Sequence, residues 1–424
     1  MKRFTQRTLI STAIALATFQ AHGAGFQISE HSASGLGRAF AGEAAIADNA
    51  AVAARNPAAM TMFDSAQVSG GLSFIQPDVD ATLKSSNLGG AETYSDVAPD
   101  ALVPYAHYVR PLNDRMALGV SAFSNFGLAT EYPSDASAGP AAGKSELATV
   151  DFNVNFAYEV NEQLSLGLGL NAVYADASLV RNAGNLSPFI PGTTATTEIA
   201  HLEGDGWGYG WNVGALWQFD ENNRLGVGYR SQVDITLDGD YRGTSNTTSL
   251  VSGQTVPGEV ELNLPDIFEF SGYHKVAPKW AVSYSVMRIG WRSFEELKAT
   301  GSSCTSSDGV GVCFLNEENW EDSWRYSIGA TYFLNPTWTL RAGFAYDESP
   351  VPEEYRTLSI PDTDRNWYTI GATYTASEAF TIDAGFAYLN GDTVEGTESK
   401  SVATYNFEAG GDAYIFALGA NYSF

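Results

Sequence analysis

The chain is poor in the residues that enzymes and metal proteins concentrate. Its 424 residues include only two cysteines and five histidines. His22 lies in the N-terminal leader, and His31, His107, His201 and His274 are scattered. Cys304 and Cys313 have no histidine near them, so a zinc site lacks its ligands and no metal is expected. No Gly-x-Ser-x-Gly and no His-Glu-x-x-His occurs, so the chain is not read as an enzyme and no cofactor is expected. Positive charge is scarce as well, with 23 Lys and Arg against 49 Asp and Glu. A net charge of −26 excludes a sequence-independent nucleic-acid binder, which needs a basic surface. Charged residues of both signs reach only 17%, below the roughly 25% of ordinary soluble chains. Past the N-terminus no apolar run reaches the roughly 18 residues that a membrane helix needs.

What is abundant points to β structure. Aromatics are 12% and glycines number 42. The N-terminus reads as an export signal: Lys2, Arg3 and Arg7 are followed by the apolar, Ala-rich run from Leu9 to Phe19. Ala21-His22-Gly23 places small residues where a signal peptidase cuts, so residues 1–23 are expected to be removed and Ala24 to begin the mature chain. Removal takes away three positive charges and no acids, moving the formal charge from −26 to −29. In an exported chain, Cys304 and Cys313 suit a local disulfide. Acidic pairs such as Glu317-Glu318, Glu321-Asp322, Asp347-Glu348 and Glu353-Glu354 fall in polar stretches. They read either as a solvated surface or as sites for divalent-ion bridging to lipopolysaccharide.

Apolar and polar residues alternate with period two along the chain after about residue 66. Val150, Phe152, Val154, Phe156 and Tyr158 interleave with Asp151, Asn153, Asn155 and Glu159. Leu164, Leu166, Leu168 and Leu170 interleave with Ser165, Gly167, Gly169 and Asn171. Alternation puts the two sets on opposite faces of a strand. Such runs begin near Val68, Leu102, Met116, Val150, Leu164, Trp207, Leu225, Val260, Trp280, Trp324, Trp338, Tyr368 and Phe380. With Asp412 to Phe424 they number 14. Short links near 111–114, 161–162, 220–223, 277–278, 335–336 and 376–378 alternate with long polar ones near 76–101, 127–149, 177–206, 239–257, 294–322, 348–365 and 390–411. Short periplasmic turns and long outer loops are the rhythm of outer-membrane barrels. Residues 67–424 are therefore expected to form an all-β, 14-stranded antiparallel transmembrane barrel in the outer membrane of a Gram-negative bacterium. Because a Lys or Arg in the middle of the lipid face costs roughly 2–4 kcal/mol, Asp151, Arg224, Arg230, Asp234 and Arg325 are assigned to the lumen and the aromatic parity to lipid. Trp207, Trp217, Trp280, Trp324 and Trp338 lie near strand ends, as girdle residues do.

Residues 24–66 do not alternate. Ala39 to Arg55 is Ala-rich and suits short helices, which Asn56-Pro57 stops because the residue before proline is pushed out of the α region. A lumen of this size holds such a segment; an unplugged one leaks small solutes, so the segment is expected to be a hatch in the lumen.

Several blocks resemble the FadL-type outer-membrane long-chain fatty acid transporters. They are Ala24-Gly25-Phe26-Gln27, Ser34-Gly35-Leu36-Gly37-Arg38-Ala39, Ala45-Ile46-Ala47-Asp48, Arg55-Asn56-Pro57-Ala58 and Ser124-Asn125-Phe126-Gly127-Leu128-Ala129-Thr130-Glu131. Further blocks are Gly206-Trp207-Gly208-Tyr209-Gly210-Trp211-Asn212, Leu262-Asn263-Leu264-Pro265, Leu297-Lys298-Ala299-Thr300 and Asp347-Glu348-Ser349-Pro350-Val351-Pro352. The resemblance runs from end to end and fades in the long loops. It implies passive uptake of long-chain fatty acids through an outer-loop groove and a deeper pocket. It places a hatch and gating role on Phe26, Asn56, Pro57 and Ala58. A kink in the third strand at Asn125, Phe126 and Gly127 would open the wall sideways. The ligand carboxylate would meet Arg181 and Lys298. The alternative is import of neutral hydrophobics such as aromatic hydrocarbons by the same route. Outer-membrane lipids, lipopolysaccharide and the outer-membrane assembly machinery, which reads the terminal Phe424, are the expected partners of a monomer.

Overall fold

The computed structural model describes residues 25–243, 254–306 and 309–424. The expected signal segment, residues 1–23, and Ala24 lie outside them. Antiparallel strands form one continuous sheet. The last strand, Ala403–Ser423, pairs with the first, Gln67–Ser86, from Gln67 opposite Ser423 to Ser86 opposite Tyr405. That pairing closes a 14-stranded barrel, so no strand edge is left unpaired in lipid. Among the described residues no helix is long and apolar enough to cross a membrane.

Tight turns close one end of the barrel. Asn113 faces Met116, Asn161 faces Leu164, Asp220 faces Asn223, Ala277 faces Trp280 and Asn335 faces Trp338. These turns are written into the side chains. Asn161 Oδ1 accepts from the amides of Gln163 and Leu164, and Asn335 Oδ1 from those of Thr337 and Trp338. An Asn that bonds its own backbone two residues on fixes the reversal without help from the rest of the fold.

The outer face of the wall is apolar where water would forbid it. Leu166, Leu168 and Leu170 are 47%, 55% and 68% exposed, and Phe152, Val154, Ile328, Ile370, Phe416 and Leu418 join them. Their odd-numbered or even-numbered neighbours, Asp151, Asn153, Asn155, Asn171, Asn212, Arg230 and Arg325, are buried in the lumen. On the sixth strand the interval from Trp207 to Trp217 matches the roughly 9–11 residues that a tilted strand needs to span the bilayer.

Two sequence expectations need correction. The long polar links are largely strand: Gln67–Ser86, Leu164–Asn182, Glu198–Asp220 and Ala403–Ser423 extend the wall well past the lipid belt. Outside lipid both faces of a strand tolerate polar residues, so the alternation that marks a membrane strand disappears while the pairing continues. Asp234 does not face the lumen. It is exposed and bonded to Gln232 and Asn263. The seventh strand stops at Arg230 and resumes at Val233. Across that gap the chain turns over, so Tyr229 faces outward while Val233, Ile235 and Leu237 face inward. The eighth strand does the same across Pro265-Asp266, between Thr255–Leu264 and Ile267–Ala277. Below these gaps the apolar residues meet lipid. Above them they meet one another and build an internal cavity.

Residues 25–66 lie inside the barrel. Short helices at Ala33–Leu36 and Val52–Arg55 and a tighter turn of helix at Pro57–Met62 are buried almost throughout. The wall approaches them through glycines: a Cβ on Gly214 would meet Asn56, on Gly226 Ala44, on Gly343 Arg38, on Gly385 Ala33 and on Gly119 Met60. Polar lumen residues fasten the segment, with Ser285 Oγ accepting from the Gly42 amide, Ser271 Oγ from Ala44 and Ser69 Oγ from Ala50. Ion pairs add to these: Arg38 with Glu43 and Arg55 with Glu269 are buried on both sides, and Arg38 and Arg341 also reach the more exposed Asp48.

Candidate functional site

The cavity lies above the lipid belt, between the inner segment and the outer loops. It encloses about 940 Å³ including its mouth. Its wall is Leu128, Leu147, Leu179, Leu202, Leu237, Leu262 and Phe294, with Phe26 on the inner side. These residues come from the third to eighth strands and from the turn after Gly290, and Leu237 and Leu262 join them because of the strand reversals at Arg230–Val233 and Leu264–Ile267. Phe26 is 1% exposed and meets Trp291 at 4.5 Å, Phe294 at 5.4 Å, Trp320 at 5.5 Å and Phe126 at 6.2 Å between ring centroids.

Phe26 and the third-strand motif, separate in the sequence, meet directly. The third strand is interrupted between Met116–Phe123 and Gly127–Glu131. The N-terminal segment enters the gap: Gln27 pairs with Phe126 as an antiparallel bridge, the Ile28 amide donates to Asn125 O at 2.7 Å, and the Gly127 amide donates to Phe26 O at 2.9 Å. The Asn125 amide side chain donates to Asp151 at 2.7 Å, which holds the displaced backbone against the fourth strand. A Cβ on Gly127 would stand 2.8 Å from Ile28 Cδ1, so a larger residue here would have to displace the Ile28 side chain.

Asn56 ties the inner segment to itself and to the wall. Its Oδ1 caps the Ala58 amide, and its Nδ2 donates both to Ala44 O within the segment and to Ala215 O on the sixth strand. Pro57 opens the following turn, and both Pro57 and Ala58 press on Gly167 of the fifth strand.

One cation stands in the cavity wall. Arg181, 4% exposed, is near the outer end of Leu164–Asn182. Its guanidinium donates to Lys144 O at 3.0 Å, Val180 O at 2.9 Å and Ser145 Oγ at 3.2 Å. All three acceptors are neutral, and among the described residues no carboxylate lies within 4.0 Å of it. Burial holds its pKa down to about 10. Glu398 and Glu318 act on it only from a distance, and a buried cation with no carboxylate in contact is costly, so an anion entering this cavity finds a place beside it.

Lys298 is not the second cation. Leu297 and Ala299 line the cavity, and strand alternation sends Lys298 the other way, where it pairs with Glu296 at 3.3 Å and stays half exposed. Polar residues that the sequence did not mark as site residues also line the cavity, among them Glu146, Glu203, Asp240, Asn316 and Glu318, with Lys400 and Glu398 behind the last two. Nothing in the local pattern of Glu317-Glu318 separates it from the other acidic pairs; only the fold turns Glu318 inward. Cys304 and Cys313 are bridged across the hairpin of Glu296–Ser306 and Gly309–Glu317, and they pack with Ala299, Leu202 and Tyr241 beside the cavity.

The family model for outer membrane transport proteins of the OMPP1/FadL/TodX group matches residues 14–424. The long-chain fatty acid transport protein of Escherichia coli O6:H1 is 42% identical, over 100% of this chain and 99% of that protein. In fold, the chain resembles a Pseudomonas aeruginosa FadL homologue, with a TM-score of 0.82, 21% identity and coverage of 95% of this chain and 100% of that one. It also resembles the Pseudomonas putida toluene transporter TodX, with a TM-score of 0.66, 17% identity and coverage of 96% and 99%. This chain therefore belongs to the FadL-type family of outer-membrane transport proteins and resides in the outer membrane of a Gram-negative bacterium.

Proposed function

We propose that this protein carries long-chain fatty acids passively across the outer membrane. The observation that carries the reading is Arg181: a buried guanidinium, held by neutral acceptors, and among the described residues the one cation lining a cavity whose wall is mostly apolar. A fatty acid offers what this site lacks, one anionic head on an apolar tail. Each buried methylene contributes at most about 0.8 kcal/mol, so a 16-carbon tail contributes on the order of 10 kcal/mol before the costs of binding. The charged hydrogen bonds add about 1.5–3 kcal/mol. Affinity then comes from the tail, while Arg181 sets the orientation and the preference for acids. That the E. coli relative is named a long-chain fatty acid transport protein supports the same reading.

Residues 24–66 act as a hatch in this scheme. Ligand reaches the cavity from the outer loops. Withdrawal of Phe26 then unmakes its pairing with Asn125, Phe126 and Gly127, and the ligand leaves sideways through the third-strand gap. The alternative cargo is a neutral hydrophobic such as an aromatic hydrocarbon, which the apolar wall suits equally and which makes no use of Arg181. Uptake of labelled oleate against labelled toluene by cells carrying the protein separates the two. Faster oleate uptake that falls on Arg181→Ala supports the acid reading. Toluene uptake alone, indifferent to Arg181, overturns it.

A further inference from the structure

Glu318 is a buried acid for which a simple carboxylate-binding scheme has no use. It is 1% exposed and lines the same cavity as Arg181. Asn316 Nδ2 donates to its Oε1 at 2.5 Å and Trp320 Nε1 to its Oε2 at 3.1 Å. Among the described residues it has no cation within ion-pair distance. The other charged groups around it are partly committed. From the strand Val394–Lys400, Glu398 pairs with Lys400 at 3.5 Å, and Lys400 also donates to Asn316 Oδ1. On the cavity wall Glu146 pairs with Lys144 at 2.6 Å and Glu203 with His201 at 2.6 Å, while Asp240 stands farther round. Tyr132, near Arg181, donates to Leu358 O. In the empty cavity, then, Glu398 and Glu318 supply the negative field around Arg181 without touching it.

An anionic head group that pairs with Arg181 adds to that field. It brings a second negative charge into a water-poor space beside Glu318. Like charges in one buried site drive one of them to take a proton. We propose that an anionic ligand enters this cavity together with one proton, which Glu318 takes from the external medium, so that outside acidity promotes loading. The step balances as Glu318 carboxylate plus ligand anion plus one proton giving a Glu318 carboxylic acid beside the bound anion. Only an O–H bond forms, and no electrons are exchanged. Burial has already pushed the Glu318 carboxyl up to about 7, with Glu398 adding to the rise, so part of the shift is in place before the ligand arrives and the incoming anion supplies the rest. The proposal rests on the reading that the cargo is an organic acid.

The test is titration calorimetry on the detergent-solubilised barrel in two buffers of different ionisation enthalpy, at pH 6, 7 and 8. The ligands are palmitate and a hexadecyl sulfonate, whose head cannot hold a proton. The expected result is uptake of about one proton per ligand at pH 8, falling toward zero at pH 6, with affinity weakening by about tenfold per pH unit above 7. In Glu318→Gln the uptake disappears and the affinity no longer depends on pH. Sulfonate binding without proton uptake at pH 8, or unchanged uptake in Glu318→Gln, overturns the proposal and leaves the fatty acid reading standing. Failure of both anions to bind, with hexadecanol still bound, overturns both. If the variant does not fold, the wild-type series decides: affinity that is flat from pH 6 to 8 overturns the proposal.

Discussion

The Gly127 amide donates to the carbonyl of Phe26 at 2.9 Å, across a break in the third strand. The first residues of the inner segment thus stand in for the ladder that the third strand lacks there. Opening the wall at this point means giving up the two backbone bonds to Asn125 and Gly127 and the packing of one phenylalanine. At about 0.5–1.5 kcal/mol net per hydrogen bond and about 1.5–3 kcal/mol for a buried aromatic, the cost is a few kcal/mol. That is small beside what a long acyl chain contributes, so occupation of the cavity can displace Phe26.

Arg181→Ala is expected to weaken fatty acid binding by about 10–100-fold, corresponding to the roughly 1.5–3 kcal/mol of a charged hydrogen bond. Binding of the matching long-chain alcohol should change far less. Equilibrium titration of both ligands checks this, and equal losses for the two remove the head-group role. Lys298→Ala, outside the cavity, should leave both affinities unchanged.

Much of this site is visible in the sequence, and the boundary is instructive. Leu166, Leu168 and Leu170 announce their strand because lipid demands apolar residues on one face and the lumen accepts Asn171 on the other. The same rule misplaces Asp234, because a gap of two residues after Arg230 inverts the faces and no alternation count registers it. Lys298 looks like a ligand in the linear sequence and fails because its neighbours Leu297 and Ala299 own the inward positions. Glu318 was invisible for the converse reason: an acidic pair in a loop looks solvated until Trp320 and Asn316 are seen to enclose it.

Asn56→Ala removes the cap on Ala58 and the two bonds to Ala44 and Ala215. Leaving buried carbonyls without partners costs about 1–3 kcal/mol, which loosens the inner segment without touching the cavity. Liposome-swelling assays should show faster entry of small sugars through this variant. Entry as slow as in the wild type contradicts the view that Asn56 holds the hatch in place.

The raised Glu318 pKa has a sign that can be checked. Its folded-state value, about 7, lies above the unfolded value near 4.5, so the folded barrel holds the proton more tightly. The stability it contributes is therefore full below pH 4.5, declines as the pH rises to 7 and is constant above that. The difference is on the order of 3 kcal/mol. Urea unfolding at pH 4 and pH 8 should show a smaller pH dependence in Glu318→Gln than in the wild type. Identical dependence in the two proteins refutes the assignment.

Reduction of the Cys304–Cys313 bridge should act locally. A link between residues nine apart constrains the unfolded chain by about 2–3 kcal/mol, and the hairpin it staples flanks the cavity. Fatty acid binding by Cys304→Ser with Cys313→Ser should weaken a few-fold, while the barrel keeps its heat-modifiable mobility on gels. Loss of the folded form would mean that the bridge supports the whole barrel.

The central claim is that ligand leaves through the gap that Phe26 and Gln27 fill beside the third strand. Gln27 and Phe126 are directly paired, so cysteines at both positions should form a bridge that locks the gap shut. Uptake of labelled oleate by cells carrying Gln27→Cys with Phe126→Cys, before and after mild reduction and beside equally treated wild type, tests this most directly. Uptake should fall to background in the oxidised form and return on reduction. Oxidised cells that take up oleate at the wild-type rate would contradict the claim.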